Sequence, residues 1–283
     1  MKKEIEIAQS CKMLPTTKIT DSLGIDDKYI EQYGKYKAKI DLAYLRESER
    51  PNGKLILVTA ITPTPAGEGK TTISTNLAIS MALKGKKVLL VDCDMRNPSV
   101  GKALQIKSKA GLSDYLTDKA YVRDIIVATK IENLSIITGG SSVKTGYAEL
   151  LANARLSQLI KAATKLFDYI ILDCPPSLGI VMTSALVATD SVLIPIQAEF
   201  LAMDGLALIT SSIDRLKRGM NPNLELNGIV FTMVNSQTRL TQDVIAEVQQ
   251  HFGEKVYETL VPRNIRVSEA PSMGTPVVFL DPR

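Results

Sequence analysis

Short, almost continuously apolar runs recur along the chain from residue 54 onward, and longer stretches with helical spacing of apolar residues separate them. Such short runs, rich in β-branched residues, are typical of strands covered on both faces of a parallel sheet. We predict strands at residues 54–60, 87–92, 134–138, 169–173, 191–195, 228–234 and 256–261. We predict helices at residues 72–83, 148–167, 204–218 and 240–252. The alternation predicts an α/β fold with a doubly wound, mostly parallel sheet.

The last predicted helix, at residues 240–252, carries its apolar residues on one side. Val244, Ile245, Val248 and Phe252 recur at helical spacing, which places them on a single face. We expect this face to pack against the core.

The first fifty residues differ from the rest because they are polar and carry a lysine-studded segment. Lys35, Lys37 and Lys39 alternate along it and would share one side of an extended segment. One interpretation is a helical or partly ordered appendage with a solvated basic face, and the other is an anion or partner site. We predict a helical N-terminal appendage over residues 1–50, followed by the main domain over residues 51–283.

Composition excludes several classes of chemistry. The three cysteines, Cys11, Cys93 and Cys174, form no CxxC pair, so they predict neither a disulfide framework nor a zinc site. His251 is the only histidine, which argues against histidine-based catalysis. No apolar run is long enough to span a bilayer, so we expect a cytoplasmic protein. The net charge of +4 permits contact with nucleic acid without requiring it.

A glycine-rich segment, TPAGEGKT at residues 64–71, follows the first predicted strand and precedes a helix. Gly67 and Gly69 let the backbone N–H groups approach phosphate oxygens closely. Lys70 would reach the β- and γ-phosphates, and the Thr71 hydroxyl would ligate magnesium. Thr64 replaces the first glycine of the usual pattern, so a simple connecting turn is the alternative. The strand–loop–helix context favours a phosphate-binding loop.

Carboxylates end two of the predicted strands. Asp92 and Asp94 follow one apolar run, and Asp173 ends another. Ligands of open α/β sheets bind at the carboxyl ends of the strands. One carboxylate can therefore hold a magnesium-bound water while another positions the attacking water. The alternative for each is a helix cap.

These motifs lie within a longer resemblance. From about residue 66 to the end the chain resembles the ParA/MinD group of P-loop ATPases. The stretch from Asp173 onward, with DCPPSLG, ALVATDSVLIPIQAEFLAMDGL and VPRNIRVSEAPSMGTPV, looks especially like the ParA/Soj partition proteins. The resemblance implies a P-loop ATPase domain that binds ATP with Mg²⁺ and dimerises around the nucleotide.

The resemblance also implies roles for individual residues. Lys70 and Asp94 would be catalytic, with Asp94 orienting the hydrolytic water. Thr71, Asp94 and Asp173 would surround the metal, Asp173 through its water shell. The implied nucleotide contacts are Ala66, Gly67, Glu68, Gly69, Lys70, Thr71, Thr72, Pro262 and Asn264, of which the last two would lie against the adenine.

The implied biology is chromosome or plasmid partitioning by an ATP-bound homodimer that binds DNA non-specifically and is activated by a ParB-like protein. We expect no membrane partner, because the sequence shows no C-terminal amphipathic helix of the MinD membrane-targeting kind, and we expect the family's C-terminal helix to be missing. Pro65 stands where ParA-type loops place a second lysine that reaches the partner's nucleotide. This departure puts the ATP-sandwich dimer in question and predicts slow hydrolysis without a partner. The basic candidates for DNA contact are Arg215, Lys217, Arg218, Arg239, Arg263 and Arg266.

Two further resemblances suggest a mosaic. The middle, including VLLVDCDMRNPSVGKALQI, looks like the bacterial tyrosine kinases of polysaccharide export. Residues 4–72, including IEIAQSCKMLPTTKI, resemble the beginning of formate–tetrahydrofolate ligase. The alternatives to a partition ATPase are therefore a tyrosine-kinase-like phosphotransferase, a non-hydrolysing nucleotide-binding scaffold and a fragment of the ligase.

Overall fold

A computed structural model describes residues 15–23, 25–35, 38–41, 53–59, 69–141, 154–175, 180–200, 202–264 and 277–280. The chain divides into two compact units, Met1–Pro51 and Asn52–Arg283.

The first unit contains a helix, α1 (Thr16–Leu23), and an antiparallel hairpin of β1 (Ile30–Gln32) and β2 (Ala38–Ile40). A 3-10 turn leads into β1 and is capped by Asp26, whose Oδ1 accepts the Lys28 N–H at 3.1 Å. Lys39 is exposed on β2, and its Nζ lies 3.8 Å from Glu31 Oε2 on β1. Lys37 lies outside the described residues, so the alternating-lysine site stays a prediction.

The second unit is a seven-stranded sheet with the order β5-β6-β4-β7-β3-β8-β9. All neighbours are parallel except β5 and β6, which are antiparallel. The predicted doubly wound, mostly parallel sheet is confirmed. The strands are β3 (Lys54–Val58), β4 (Val88–Asp92), β5 (Ile126–Ala128), β6 (Leu134–Ile137), β7 (Tyr169–Asp173), β8 (Ser191–Gln197) and β9 (Glu225–Thr232).

Helices cover both faces of this sheet. They are α2 (Lys70–Leu83), α3 (Val100–Ala103), α4 (Leu112–Leu116), α5 (Val122–Ile125), α6 (Ala154–Ala163), α7 (Ile180–Ala188), α8 (Ala202–Gly219), α9 (Arg239–Phe252) and α10 (Val277–Leu280). Of the helix predicted at 148–167, residues 148–153 lie outside the described residues. Its carboxyl end comes at Ala163, four residues earlier than predicted, because the chain turns there toward β7.

The core has two apolar clusters, one on each face of the sheet. Leu57 and Leu89 belong to the larger cluster, which also contains the buried faces of α6 to α9. Val58 and Leu90, one residue further along the same strands, belong to the smaller cluster beneath α2. Successive strand residues point to opposite faces, and both faces are covered. This burial explains why the strands read as unbroken apolar runs.

The face predicted for residues 240–252 is confirmed by the packing of α9. Val244 and Val248 are buried in the larger cluster, and Ile245 and Phe252 pack against it half-buried. The Thr238 side chain caps the helix by accepting the Thr241 N–H. A 3-10 turn, Gly253–Lys255, then takes the chain back toward the sheet.

The strand predicted at residues 256–261 is wrong. Val256 forms only an isolated parallel bridge to Ile229, and Pro262 forms another to Val234. Tyr257 and Val261 still donate to Ile229 and Phe231, but the chain bends at Glu258, so no ladder runs between the two bridges. The segment therefore touches the sheet edge at two points without extending it. Strand β5 was missed because three residues are too few to show a hydrophobic pattern.

Replacing Phe231 with alanine is expected to lower the free energy of unfolding by about 3–5 kcal/mol. Its side chain on β9 is fully buried (0% exposed), so the truncation leaves a cavity in the larger cluster. Phe200→Ala is the matched control, because that side chain is 81% exposed and should change stability by less than about 0.5 kcal/mol. Urea titration of both variants measures the difference, and equal effects would contradict this assignment of the core.

Candidate functional site

The candidate site lies where β3, β4 and β7 end at one edge of the sheet, in front of α2. Gly69 immediately precedes α2 and has a left-handed backbone (φ 68°), which a residue with a side chain adopts only with strain. Its position delivers the free N–H groups of the helix start to this edge. Pro65, Ala66, Gly67 and Glu68 lie outside the described residues.

The first turn of α2 carries the polar residues of the predicted loop. Lys70 begins the helix and is only 8% exposed. Ser74 Oγ donates to the Lys70 carbonyl at 3.0 Å, and Asn76 Nδ2 donates to the Thr72 carbonyl at 2.8 Å. These bonds tie side chains on the second turn back to the first. A buried lysine at a helix start places two sources of positive potential at one point.

Thr71 connects α2 to the strand ends. Its Oγ1 donates to Asp173 Oδ2 at 2.7 Å, and Ser99 Oγ lies 3.1 Å from the same Thr71 oxygen. Because Thr71 has a single hydroxyl proton, which goes to Asp173, Ser99 is the donor in the second contact. The hydroxyl and the carboxylate predicted for the metal are thus brought together, although 102 positions separate them in the chain.

Asp92 organises the segment that follows β4. It is opposite Asp173 in the parallel register of β4 and β7. Its Oδ1 accepts the Asp94 N–H at 3.1 Å, while its Oδ2 accepts those of Ser99 at 2.9 Å and Val100 at 3.0 Å. The carboxylate therefore holds the chain after the strand in a closed loop.

Asp94 lies at the start of that loop and is half-buried. Its Oδ1 accepts the N–H groups of Arg96 at 3.1 Å and of Asn97 at 2.9 Å, which form a turn around it. These two donors fix the carboxylate next to the strand ends. The predicted water-orienting residue is therefore held by the backbone.

The buried carboxylates carry perturbed pKa values. Burial, reinforced by the charge of Asp173, raises the pKa of Asp92 to about 7 against the pull of three backbone donors. Burial likewise raises the pKa of Asp173 to about 6, opposed by the Thr71 hydroxyl and the positive charge of Lys70. Two desolvated carboxyl groups side by side favour a bound cation, and such shifts cluster at functional sites.

The donor set fits magnesium bound together with a phosphate ligand. Asp173 Oδ1 is buried, and no hydrogen-bond partner for it occurs among the described residues. In that part of the chain, no group of three or more histidine, cysteine or acidic residues could hold a metal by itself. Magnesium keeps several waters and binds one or two protein oxygens plus substrate phosphates. Thr71 and Asp173 supply the one or two protein oxygens that this mode of magnesium binding requires.

Pro262 and Asn264, predicted to contact adenine, follow β9 at the same edge of the sheet. Pro262 pairs with Val234, and the Arg263 N–H donates to the Val234 carbonyl at 3.1 Å. Asn264 is half-buried. The parallel bridge to Val234, with its Arg263 hydrogen bond, therefore holds this segment beside the end of β9.

Two contributors were not predicted from the sequence. Asp92 was recognised as a strand-end carboxylate, but its role in holding the loop was not, and Ser99 was missed altogether. The available signals were the Asp-x-Asp spacing at a strand end and a serine just before a short helix. Neither signal shows that the backbone returns to Asp92 several residues later.

Known proteins are similar in sequence to this chain over most of its length. A family model described as an AAA domain matches residues 57–226. The sporulation initiation inhibitor protein Soj of Bacillus subtilis (strain 168) is 42% identical over 240 residues, covering 82% of this chain and 92% of Soj. The chain belongs to the ParA/Soj family of P-loop ATPases. The chromosome partitioning protein ParA of Caulobacter vibrioides (strain NA1000 / CB15N) is 38% identical over 232 residues, covering 79% of this chain and 87% of ParA.

Solved structures place the fold in the wider MinD group. MinD of Pyrococcus horikoshii OT3, complexed with Mg-ADP, superposes with a TM-score of 0.67 at 22% identity, covering 82% of this chain and 90% of that one. Cobyrinic acid a,c-diamide synthase of Mycobacterium smegmatis, with a bound ATP analog and magnesium, gives 0.66 at 24% identity and covers 75% and 85%. The predicted ParA/MinD-type fold is confirmed. These matches do not support the predicted kinase-like middle or ligase-like beginning.

Across the described ranges, none of the helices of this ParA/Soj-family chain has the length and apolar content that a membrane crossing requires.

Proposed function

We propose that this chain binds ATP with Mg²⁺ at the carboxyl edge of its sheet and hydrolyses it, so that an ATP-bound dimer holds non-specific DNA in chromosome or plasmid partitioning. The observation that carries the proposal is the 2.7 Å hydrogen bond from Thr71 to the buried Asp173, directly behind Lys70 at the start of α2. That arrangement joins a phosphate-binding helix start to a magnesium-type pair of oxygen ligands.

The phosphates would lie at the start of α2. Lys70 supplies a buried positive charge, and the helix N–H groups add donors that no backbone carbonyl occupies. Thr72, with Ala66, Gly67, Glu68 and Gly69 before it, would complete the cradle. Pro262 and Asn264 would flank the adenine, because the segment after β9 lies at the same sheet edge.

Magnesium would bind Thr71 Oγ1 directly and Asp173 through its water shell. When bound, the ion neutralises charge on the phosphates and holds them in line for displacement. Asp173 Oδ2, which accepts the Thr71 hydroxyl here, would then accept hydrogen bonds from the waters of the ion. Asp94, fixed by the N–H groups of Arg96 and Asn97, would orient the attacking water.

Dimerisation, a ParB-like activator and DNA are proposed on the strength of the family, whose relatives Soj and ParA match nearly the whole domain. Arg215, Lys217 and Arg218 are exposed near the end of α8, where they also complement the helix dipole. Arg239 lies 4.0 Å from Asp243 and is exposed. Contacts from such side chains to DNA phosphates would be sensitive to salt.

Phosphate release from ATP, measured with and without Mg²⁺ and non-specific duplex DNA, tests the proposed activity. We expect slow turnover that requires Mg²⁺. Binding of ATP without phosphate release would favour the nucleotide-binding scaffold instead. Transfer of labelled γ-phosphate to tyrosine of this chain would favour the phosphotransferase.

The Mg²⁺ dependence of ATP binding is expected to weaken as the pH falls through about 6. Burial raises the pKa of Asp173 to about 6, so the carboxyl is neutral below that pH and ionised above it. Only the ionised form attracts the hydrated cation, and cation binding therefore releases a proton. Titration calorimetry from pH 5 to pH 8 measures the effect.

Asp173→Asn is the control for that experiment, because phosphate groups themselves titrate in this range, with a second pKa of about 6 in phosphorylated side chains. The protein's contribution is the difference between wild type and Asp173→Asn at each pH. A difference that stays constant across the range would contradict the assignment of Asp173 to the metal's water shell.

A further inference from the structure

Two cysteines lie side by side directly behind the carboxylates of the site. Cys93 follows Asp92 on β4, and Cys174 follows Asp173 on β7. The two aspartates are opposite each other in the parallel register, and the ladder continues because the Cys93 N–H donates to the Asp173 carbonyl at 2.9 Å. Cys93 and Cys174 therefore occupy neighbouring positions on adjacent strands.

Both thiols point to the same side of the sheet. Cys93 (1% exposed) and Cys174 (2% exposed) belong to the larger apolar cluster. Asp92 and Asp173 precede them and, by strand alternation, face the side of α2. The Cys174 thiol donates a hydrogen bond to Cys93, and this bond, together with burial, raises the pKa of Cys174 well above its usual value. The two sulfur atoms are thus within mutual reach, and both are free thiols.

The spacing suits a covalent link. Adjacent strands lie about 4.8 Å apart, and the Cα atoms of disulfide-bonded cysteines usually lie about 4.4–6.8 Å apart. We propose that Cys93 and Cys174 form an oxidisable dithiol whose conversion to a disulfide by a peroxide slows ATP turnover at the adjacent site. The effect on turnover rests on the proposed ATPase function, whereas formation of the disulfide does not.

The reaction balances with one equivalent of hydrogen peroxide. The first thiolate attacks a peroxide oxygen, the O–O bond breaks, and a sulfenic acid and one water form. The second thiol then attacks the sulfenic sulfur, which releases a second water and leaves the S–S bond. The two sulfurs are oxidised and the peroxide is reduced. Because both thiols are buried, oxidant would enter during local opening of the strand ends.

The disulfide would act through the residues that precede it. Forming an S–S bond brings the two sulfurs to about 2.05 Å, which reorients both cysteine side chains and shifts the adjoining backbone of Asp92 and Asp173. Asp92 holds the N–H groups of Asp94 and Ser99, and Asp173 holds the Thr71 hydroxyl. Altered support of metal-site residues typically costs about 10- to 100-fold in affinity or activity. We therefore expect turnover on the order of 10-fold lower in the oxidised protein.

The test uses the full chain with Cys11→Ser, which leaves Cys93 and Cys174 as the remaining thiols. After exposure to hydrogen peroxide, we expect a mass lower by two hydrogen atoms, no free thiol on unfolding and a peptide cross-link between the two positions. Turnover should fall and should return after dithiothreitol. The control combines Cys11→Ser with Cys93→Ser and cannot form the bond, so its turnover should lack the dithiothreitol-reversible loss.

Three results would overturn the inference. Both thiols of the folded Cys11→Ser protein could stay reduced at peroxide concentrations that oxidise a free thiol. Alternatively, the cross-link could form without changing turnover, which would remove the regulatory role. The control could also show the same reversible loss, which would assign the loss to another group. The mass measurement gives its answer even if the chain proves not to hydrolyse ATP.

Discussion

Replacing Lys70 with alanine is expected to weaken ATP binding by roughly 30-fold or more. Truncating one partner of a buried, hydrogen-bonded charge pair costs about 2–5 kcal/mol, and about 1.4 kcal/mol corresponds to a tenfold change in affinity. Lys70 is 8% exposed and begins α2, so water replaces it poorly as a partner for phosphate. Equilibrium titration with a fluorescent ATP analogue in the presence of Mg²⁺ measures the change.

Lys84→Ala is the matched control for Lys70→Ala. Lys84 follows the other end of the same helix and is exposed, so its removal changes the net charge equally without affecting the site. Its affinity should stay within about twofold of wild type, since exposed charges contribute little. An unchanged ATP affinity in Lys70→Ala, with the fold intact by circular dichroism, would refute the placement of the phosphates at α2.

Replacing Asp94 with alanine is expected to lower ATP turnover by about 100-fold or more while ATP binding is retained. A positioned proton acceptor contributes roughly 100- to 10,000-fold to a rate. Asp94 is held by the N–H groups of Arg96 and Asn97, close enough to Asp173 for its charge to raise the pKa of that carboxyl. The ATP-bound form should therefore accumulate, and we expect it to be a dimer. Single-turnover phosphate release and light scattering measure the two effects.

Asp94→Asn separates the charge of this residue from its structural role. The asparagine oxygen can still accept the two N–H groups of the turn, but it cannot take a proton. We expect Asp94→Asn to lose turnover as Asp94→Ala does, while keeping wild-type stability to urea. Wild-type turnover in Asp94→Asn would mean that the carboxylate serves only to cap the turn.

Much of the fold could be predicted because two-sided burial leaves a strong pattern. Six predicted strands coincide with observed ones, since the core clusters on both faces require continuous apolar runs. Strand β5 escaped prediction because its pairing with β6 depends on tertiary contact and not on a pattern within three residues. The apolar segment after α9 was taken for a strand because an isolated bridge and a ladder require similar residues.

The parts of the candidate site that come from adjacent residues could be predicted from the sequence. The parts that depend on residues far apart in the chain could not. Gly69, Lys70 and Thr71 are adjacent, so their chemistry is visible in the sequence. The partnership of Asp92 with Ser99 and Val100 depends on a loop that returns to its own strand end. The contact between Cys93 and Cys174 depends on the register of β4 and β7, which only the assembled sheet fixes.

Coupling between nucleotide and DNA can be measured by retention of the wild-type chain on immobilised non-specific duplex DNA, compared with ATP, with ADP and without nucleotide. We expect retention with ATP and Mg²⁺, little with ADP or no nucleotide, and elution by moderate salt because the contacts are to phosphates. Lys70→Ala should fail to be retained under any of these conditions. Equal retention of the wild-type chain with ATP, with ADP and without nucleotide would refute an ATP-dependent DNA-binding dimer, since nothing would then couple the nucleotide to DNA.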